Sequence, residues 1–353
     1  MIYDLILPYY QYIKQLDEPM IKKLILIFSA AAVFLCGCTQ ITETEEDEAV
    51  MADASVSEAA PYPVTVGELT FNSSPETVGS LSPAVTEMLF ELGYGDRLVC
   101  RSEYCGYPEE TENIPAVGSA VNPDIDGIIK LSPTLLITQS PIANKDITRL
   151  SQAGISVLSI PAPRSAEELT ENYRSLSLIF SGSLEGEEKA DKATEDLRAA
   201  LSEAKGSCES LVFIMNITDD GFSAATGDSF AGDFAAHFGR NIAAGNTSLT
   251  LTSEELLAAD PQVILLAHPL ESSDIDPELS SQLSAFSEGH VFVIDASLTE
   301  RPTARLAGIT RKISEAVRED TGGADFAEIP QTTAETEFET AEVSENIPED
   351  VNE

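Results

Sequence analysis

The chain has few basic residues and no tryptophan. Its 353 residues contain 20 Lys and Arg against 60 Asp and Glu, which gives a formal net charge of -40. A chain of this charge repels polyanions, which argues against nucleic acid as a partner and against electrostatic docking on anionic lipid. The hydrophobic fraction of 43% is still sufficient for one large or two ordinary folded cores.

Motifs of common enzymes and metal sites are missing as well. The sequence has no Gly-x-Ser-x-Gly, Walker loop or His-Glu-x-x-His, its three histidines are far apart, and its cysteines form no Cys-x-x-Cys. We therefore predict no catalytic residues, no metal site and no cofactor, with an exported enzyme as an alternative. Cys100 and Cys105 either pair as a disulfide, which would leave Cys208 odd, or remain thiols.

Both ends of the chain are acidic and poor in apolar residues. Residues 39–60 hold seven acids and no base, and residues 321–353 hold ten acids and no base. Low hydrophobicity together with charge of one sign predicts disorder. We expect an acidic disordered linker at 38–63, an acidic disordered tail at 321–353, and a folded body between them.

The N-terminal segment carries an export pattern. Lys22 and Lys23 precede the uncharged run Leu24–Phe34, which is short for a membrane span and typical of a signal peptide. The run leads into Leu35-Cys36-Gly37-Cys38, which is similar to the lipobox of bacterial lipoproteins and implies a signal peptide at 1–37 and lipidation of Cys38. Met20 is an alternative start, and an uncleaved anchor helix is the alternative to cleavage. Either interpretation places the body outside the cytoplasmic membrane.

Apolar runs alternate with helical patterns through the body. Unalternated runs of β-branched residues and Leu are typical of strands covered on both faces, which predicts an α/β fold with mostly parallel sheets. The predicted strands are Val78–Leu81, Leu98–Arg101, Leu135–Thr138, Val157–Ile160, Leu211–Met215, Val263–Ala267 and Val291–Ile294. The predicted helices are 83–92, 125–131, 144–153, 166–180, 186–204, 229–238, 253–259 and 303–317.

One internal repeat divides the body. Asp126 lies seven residues before Pro133 and Glu254 lies seven residues before Pro261; each pair encloses a short helix and is followed by a buried strand. The repeat predicts two α/β lobes, at 64–164 and 206–320. Between them we predict a helical connector at 165–205, which opens on the capping box Ser165–Glu168 and has a break at 181–183.

Eight motifs follow one another in a fixed order. They are Gly79–Gly93, Leu98–Pro108, Ile114–Gly118, Asn122–Pro133, Ala225–Ser229, Gly239–Ile242, Thr252–Leu257 and Glu300–Pro302. In this order the chain resembles the cobalamin- and iron-siderophore-binding class of substrate-binding proteins of ABC importers, most of all the cobalamin-binding branch. The resemblance covers about residues 64–318. It implies two α/β lobes joined by a single long helix, with the ligand in the cleft between the lobes.

The resemblance also implies which residues line the cleft. They are Ser82, Pro83, Tyr104, Tyr107, Ala120, Phe222, Glu300 and Arg301. Tyrosine offers a large ring system a flat apolar face and a hydroxyl group, and Arg301 offers a planar fork of donors. Phe222 follows the turn signal Asp219-Asp220-Gly221, so we expect it to be exposed at the cleft mouth. Core packing of Tyr107 and an internal ion pair of Arg301 are the alternatives.

The identity of the ligand stays open. Cobalamin-binding members of this class often line the cleft with tryptophan, whereas this chain has none; Ala120 stands at one such position, and Gly106 stands where Asp is frequent. The candidates are cobalamin or another corrinoid, haem and a ferric siderophore.

Two carboxylates are the expected contacts with a transporter. In the resembled class, one acidic residue per lobe meets arginines of the permease, and the matching residues here are Asp126 and Glu254. Thr252 and Glu255 are predicted to cap each other, which leaves Glu254 free and outward-facing. The alternative is that both acids only complement helix dipoles, by about 0.3–1 kcal/mol each.

The resemblance therefore predicts a lipid-anchored monomer on the outer face of the membrane. It would deliver a bulky ligand to an ABC permease whose ATPase subunits supply the energy. An exported binding or adhesion protein without a transporter is the alternative from a different class.

Overall fold

The computed structural model describes residues 61–246 and 250–319. The predicted signal peptide, the lipidated Cys38 and the acidic tail 321–353 lie outside these residues. Of the predicted linker, only residues 61–63 are described. They pack against the connector, where Ser183 N donates to Pro61 O (2.8 Å) and Tyr62 Oη donates to Ile179 O (2.9 Å). The ordered body therefore begins slightly before the predicted boundary at residue 64.

The body consists of twelve strands and ten α-helices among the described residues. The strands are β1 Val64–Val66, β2 Leu69–Phe71, β3 Val78–Ser80, β4 Leu98–Arg101, β5 Leu135–Thr138, β6 Ser156–Ser159, β7 Ser210–Thr218, β8 Gly221–Ala224, β9 Arg240–Asn241, β10 Thr250–Leu251, β11 Val263–His268 and β12 Val291–Asp295. The helices are α1 Pro83–Glu91, α2 Ile125–Leu131, α3 Asn144–Gln152, α4 Ala166–Ala204, α5 Phe230–Phe238, α6 Ser253–Ala259, α7 Pro277–Ser280, α8 Ser284–Glu288, α9 Ser297–Glu300 and α10 Leu306–Arg318.

The N-terminal lobe is built on a four-stranded parallel sheet in the order β4-β3-β5-β6. Its central strand β5 is buried along its whole length. Runs such as Leu-Leu-Ile-Thr suit this position because both faces of the strand are covered. The predicted parallel α/β lobe is confirmed.

The C-terminal lobe has a mixed sheet in the order β10-β8-β7-β11-β12, with β9 paired to β7. Strands β7, β9, β11 and β12 are parallel, whereas β8 pairs antiparallel with both β7 and β10. The parallel part matches the prediction. The hairpin of β7 and β8 was not predicted, and it decides where Phe222 lies.

The repeat around the two carboxylates is reproduced in the backbone. Helices α2 and α6 each place the acid at the second helical position, and each ends on a left-handed residue, Ser132 (φ 50°) or Asp260 (φ 36°). These are the only non-glycine residues with positive φ in the described part of the chain. A proline follows each one and cannot continue the helix, and a buried strand comes next.

The connector between the lobes is the helical stretch α4, which Gly182 interrupts (φ 74°, ψ -177°). Arg174 and Glu187, 13 residues apart, form an ion pair with Nη2 and Oε1 separated by 2.6 Å. In one straight helix they would lie about 20 Å apart. The chain therefore reverses at Gly182, and the second segment runs on to the C-terminal lobe. No helix in the described ranges is both long and apolar enough for a membrane span.

The two lobes share one hydrophobic core. A single cluster of buried side chains includes Met88 of α1, Tyr173 and Ala200 of α4, Phe213 of β7 and Ile313 of α10. Moving the lobes far apart would expose this surface to water, at roughly 25 cal/mol per Å². The shared core favours the modest closure that a helical connector predicts.

All three cysteines of the described body are buried free thiols. Burial raises the pKa of Cys100 to about 12 and that of Cys208 to about 11, and it also raises the pKa of Cys105. Because the thiolate is the reactive form, we expect slow alkylation of all three in the native protein at pH 8 and rapid alkylation in denaturant. Peptide mapping after iodoacetamide treatment measures this. A Cys100–Cys105 disulfide peptide, or fast native labelling, would contradict it.

Candidate functional site

The first predicted cleft residue, Ser82, caps helix α1 at the carboxyl end of strand β3. Its Oγ accepts a hydrogen bond from Val85 N (3.3 Å) and donates to Gln139 Oε1 (2.5 Å). Pro83 follows at the first helical position, where its missing N–H costs nothing. Ser82 is buried, so its role in the structure is to fix the strand–helix turn and the side chain of Gln139.

Two tyrosines lie in the turn that follows strand β4. The side chain of Tyr104 is 65% exposed and that of Tyr107 is 38% exposed. The guanidinium carbon of Arg305 lies 4.0 Å from the ring centroid of Tyr107. Tyr107 therefore keeps a solvent-facing part, and the core-packing alternative does not describe it. Carboxyl ends of parallel strands are where open α/β sheets bind ligands.

The C-terminal lobe contributes a cavity of about 250 Å³. Its lining comes from strands β7 and β8, the N-terminal turn of helix α5 and the end of helix α9. It includes Met215, Ser223, Thr226, Ser229 and Glu300. Small and hydroxyl-bearing side chains predominate, so the cavity can accept a shaped apolar group and offer it hydrogen bonds.

Glu300 and Arg301 connect this cavity to the N-terminal lobe. Glu300 is exposed and lines the cavity. The next residue, Arg301, donates from Nη1 to the backbone oxygen of Tyr104 (3.4 Å). Arg301 thus spans from the C-terminal lobe to the turn with the two tyrosines, and its described hydrogen-bond partner is a backbone carbonyl. The structure thus joins Arg301 to the backbone of Tyr104, and Glu300 precedes Arg301 in the chain.

Phe222 does not lie where the sequence predicts it. Only 4% of Phe222 is exposed, and it packs in a core cluster with Ile214, Leu251 and Leu266. The expected exposure at the cleft mouth is wrong because the turn at Asp219-Asp220 closes a hairpin. Phe222 is therefore the second residue of strand β8, and its side chain points into the lobe. The adjacent Ser223 points the opposite way and lines the cavity.

Ala120 lies in a tight turn before helix α2. The turn is closed by Asn122 N donating to Ser119 Oγ (3.1 Å), and Ala120 packs in part against the apolar cluster under the N-terminal sheet. The neighbouring Val121 is 92% exposed. The turn thus presents an exposed apolar tip at Val121, and Ala120 does not border the cavity beside Glu300.

A buried carboxylate that the sequence analysis missed lies beneath the tyrosine turn. Glu87 on helix α1 is 3% exposed, and its Oε2 accepts hydrogen bonds from Arg305 Nε (3.0 Å) and Thr303 Oγ1 (3.4 Å). Burial raises the pKa of Glu87 to about 7, which outweighs the opposite effect of Arg305. Glu87 and Arg305 are 218 residues apart, so no local motif connects them.

The raised pKa of Glu87 makes the stability of the folded protein depend on pH. Because the pKa of Glu87 is higher in the folded than in the unfolded state, its contribution to the free energy of unfolding is fully present below about pH 4.5. The contribution is lost as the pH rises through about 7. The ionised carboxylate at pH 8 therefore costs stability.

A larger depression of about 480 Å³ lies elsewhere. It is lined by both segments of α4 and by helix α5, including Thr170, Leu201 and Ala236. None of the predicted cleft residues borders it. We place the candidate site at the smaller cavity and the tyrosine turn, because the carboxyl ends of strands and the interlobe contacts converge there.

The two predicted docking acids are on the surface, one per lobe. Glu254 is exposed, and the capping box predicted beside it is present, with Glu255 N donating to Thr252 Oγ1 (3.2 Å) and Thr252 N donating to Glu255 Oε2 (2.9 Å). The side chain of Asp126 is 83% exposed, and its Oδ1 lies 2.5 Å from Arg149 Nη2. The two lobes therefore present different surroundings: Asp126 is paired, whereas the structure gives Glu254 no ion-pair partner among the described residues.

Comparisons with known proteins give one family profile, named relatives and a similar solved structure. A family profile described as periplasmic binding protein matches residues 78–298. An uncharacterised ABC transporter substrate-binding lipoprotein of Bacillus subtilis, YvrC, is 26% identical over 82% of this chain and 95% of its own length. A vitamin B12-binding protein of Vibrio parahaemolyticus is 24% identical over 69% of this chain and 90% of its own. The crystal structure of the periplasmic vitamin B12 binding protein BtuF of Vibrio cholerae superposes with a TM-score of 0.56 at 21% identity, covering 70% of this chain and 98% of that one.

Proposed function

Because this chain belongs to the periplasmic binding protein family, we propose that it is the extracytoplasmic solute receptor of an ABC importer and captures a corrinoid. The observation that carries the proposal is the hydrogen bond from Arg301 to the backbone of Tyr104 across the two lobes, next to the cavity that Glu300 lines. Relatives named for transport and for vitamin B12 support transport over adhesion and a corrinoid over other bulky chelates.

The proposed mechanism is binding without chemistry. The ring of Tyr107 and the hydroxyl of Tyr104 meet the flat face and edge of the ligand from the N-terminal lobe. Arg301 donates to a polar group of the ligand, and the cavity beside Ser223 receives a projecting group from the C-terminal lobe. Because the lobes share a core, the site is largely formed before the ligand enters, which lowers the ordering cost of binding.

Delivery is proposed to use the two surface carboxylates. Asp126 and Glu254 would each meet a cationic patch of the permease, and the ATPase subunits would act only on the permease. Lipidation of Cys38, outside the described residues, would keep the protein near the membrane, with the acidic linker as a tether. The arrangement needs only one copy of this chain.

Titration of the protein with the candidate ligands tests which of them it binds. The full chain in mild detergent is titrated with cyanocobalamin, cobinamide, haemin and a ferric siderophore, with visible absorbance and calorimetry as readouts. We expect the corrinoids to bind, and Tyr107→Ala to weaken them about tenfold, because loss of an aromatic contact costs about 1–2 kcal/mol. Leu184→Ala, which removes an exposed apolar side chain from the connector, is the control. Binding of haemin alone, or corrinoid binding that Tyr107→Ala leaves intact, would refute the proposed site.

A further inference from the structure

The segment Thr303–Arg305, which we name the clasp, ties the C-terminal lobe to helix α1 of the N-terminal lobe and to the connector. Thr303 Oγ1 and the guanidinium of Arg305 both donate to Oε2 of Glu87 on helix α1. Between them, Ala304 N donates to Tyr173 Oη of the connector (2.8 Å), and Tyr173 in turn donates to Glu91. The clasp is thus held by one face of α1, on which Glu87 and Glu91 are one turn apart.

Arg305 has two different neighbours. Its Nη2 lies 2.8 Å from Glu87 Oε2, and its guanidinium carbon lies 4.0 Å from the centroid of the Tyr107 ring. The side chain of Glu87 is 4% exposed and that of Arg305 is 26% exposed, whereas Tyr107 reaches solvent. The order from the interior outward is therefore carboxylate, guanidinium, aromatic ring.

We propose that Glu87 is a positioning residue for the ligand site: it holds the guanidinium of Arg305 against the inner part of the Tyr107 ring and so fixes the ring for the ligand. Glu87 itself touches no ligand. A planar guanidinium anchored through both Nε and Nη2 has one orientation, and a ring stacked on it inherits that orientation. The inference rests on the proposed function only in that the ring of Tyr107 is the ligand's contact.

The cost of this arrangement supports a functional role. Ionisation of Glu87 lowers the free energy of unfolding as the pH rises toward 7, even though its carboxyl group accepts the hydrogen bonds that hold the clasp. Groups whose pKa is shifted by burial beside a specific charged partner are common at functional sites. The charge of Glu87 also changes near neutral pH, which makes the orientation of Arg305 testable by titration.

Several charged or titratable groups face Glu87, and they behave differently between pH 6 and 8. The guanidinium groups of Arg301 and Arg305 are two of them. Burial raises the pKa of Cys105 and that of Tyr173 and keeps both neutral. Glu91 is the remaining carboxyl: the residue as a whole is exposed, but its carboxyl group lies against Tyr173, and local desolvation raises its pKa. Glu91 is therefore the matched control, because it lies on the same helix face but bonds to Tyr173 instead of Arg305.

The first measurement needs no ligand. Ring resonances of Tyr107, assigned with Tyr107→Phe, are followed by NMR in the full chain from pH 5.5 to 8.5. We expect a transition with a midpoint of about 7 in the wild type and its loss in Glu87→Gln. Glu91→Gln should keep the transition but move its midpoint to lower pH, because the charge of Glu91 raises the pKa of Glu87. A transition that persists in Glu87→Gln would overturn the inference.

The second measurement uses cyanocobalamin as the probe. We expect its affinity for the wild type to fall about tenfold from pH 8 to pH 6, since about nine tenths of Glu87 is ionised at pH 8 and about one tenth at pH 6. Glu87→Gln should bind weakly and independently of pH, whereas Glu91→Gln should keep the pH dependence, displaced to lower pH. Should Glu87→Gln fail to fold, Arg305→Lys replaces it, because lysine keeps the charge and loses the stacked fork. An affinity of the wild type for cyanocobalamin that does not change with pH would refute the inference.

Failure of the proposed ligand can be distinguished from failure of the inference about Glu87. If no corrinoid binds at any pH while the Tyr107 transition still depends on Glu87, the proposed ligand is wrong and the positioning by Glu87 stands. If cyanocobalamin binds and neither its affinity nor the ring resonances respond to Glu87, the ligand stands and the inference fails.

Discussion

Reversing both surface carboxylates, Asp126→Lys together with Glu254→Lys, is expected to reduce corrinoid uptake by more than about tenfold and to leave ligand affinity unchanged. The two introduced lysines would face a cationic permease surface, and repulsion between like charges across an interface costs several kcal/mol. A loss of about 1.4 kcal/mol already lowers an affinity tenfold. Affinity should survive because both acids are exposed and neither borders the cavity. Uptake of labelled cyanocobalamin is measured in cells that lack the native copy, and affinity is measured on the purified variant.

The control for this experiment changes the charge equally at another surface. Glu188→Lys with Glu195→Lys reverses two exposed carboxylates of the connector and alters the net charge by the same amount. If uptake falls equally in both double variants, the effect is one of overall charge and the docking roles are wrong. Normal uptake by the Asp126 and Glu254 double variant would also contradict the proposal.

The two single variants are not expected to be equal. Arg149 already pairs with Asp126, so part of that carboxylate's charge is compensated before docking, although an exposed pair of this kind is worth only about 0–1 kcal/mol. Among the described residues Glu254 has no such partner. We therefore expect Glu254→Lys to impair uptake more than Asp126→Lys, and Arg149→Ala to impair it least.

The repeated carboxylate–proline spacing made an important part of the fold predictable from the sequence. The spacing identified two helix–strand units, and the structure reproduces them down to the left-handed residues Ser132 and Asp260. Strands β4 and β5 begin and end at their predicted residues, because a short apolar run bounded by polar residues has few alternative boundaries. Local signals of this kind are available to sequence reasoning because each one lies within a dozen residues.

The features that could not be predicted from the sequence depend on contacts between segments whose pairing has no local signal. Strand β7 continues three residues beyond its predicted end, through Asn216 to Thr218, where exposure alternates and the apolar run has stopped. Without that extension the turn at Asp219-Asp220 looks like the start of a loop, and Phe222 looks exposed. Alternation of Asn216, Ile217 and Thr218 was the signal for a half-covered strand. The pairing of Glu87 with Arg305 had no local signal.

Replacing Phe222 and replacing Ser223 are expected to have opposite effects, although the two residues are adjacent. Phe222→Ala leaves a cavity in the core of the C-terminal lobe, where the side chain contacts Ile214 and Leu251, and should lower the free energy of unfolding by about 3–5 kcal/mol. For a body of this size that corresponds to a fall in Tm of roughly 10 °C. Calorimetry measures the change, and at a temperature where the variant is folded its ligand affinity should stay within about threefold of the wild type.

Ser223→Phe tests the opposite face of the same strand. The new side chain enters the cavity of about 250 Å³ beside Glu300, so it should occupy the space proposed for a projecting group of the ligand and weaken cyanocobalamin binding by more than about tenfold. Its Tm should change little, because Ser223 is only partly buried and its side chain lines the cavity. Ser223→Ala, which removes the hydroxyl and adds no bulk, separates steric exclusion from loss of a hydrogen bond. If Phe222→Ala abolished binding in the folded protein while Ser223→Phe did not weaken it, the ligand would lie on the other side of strand β8. The assignment of the cleft to the surface that carries Glu300 would then be wrong.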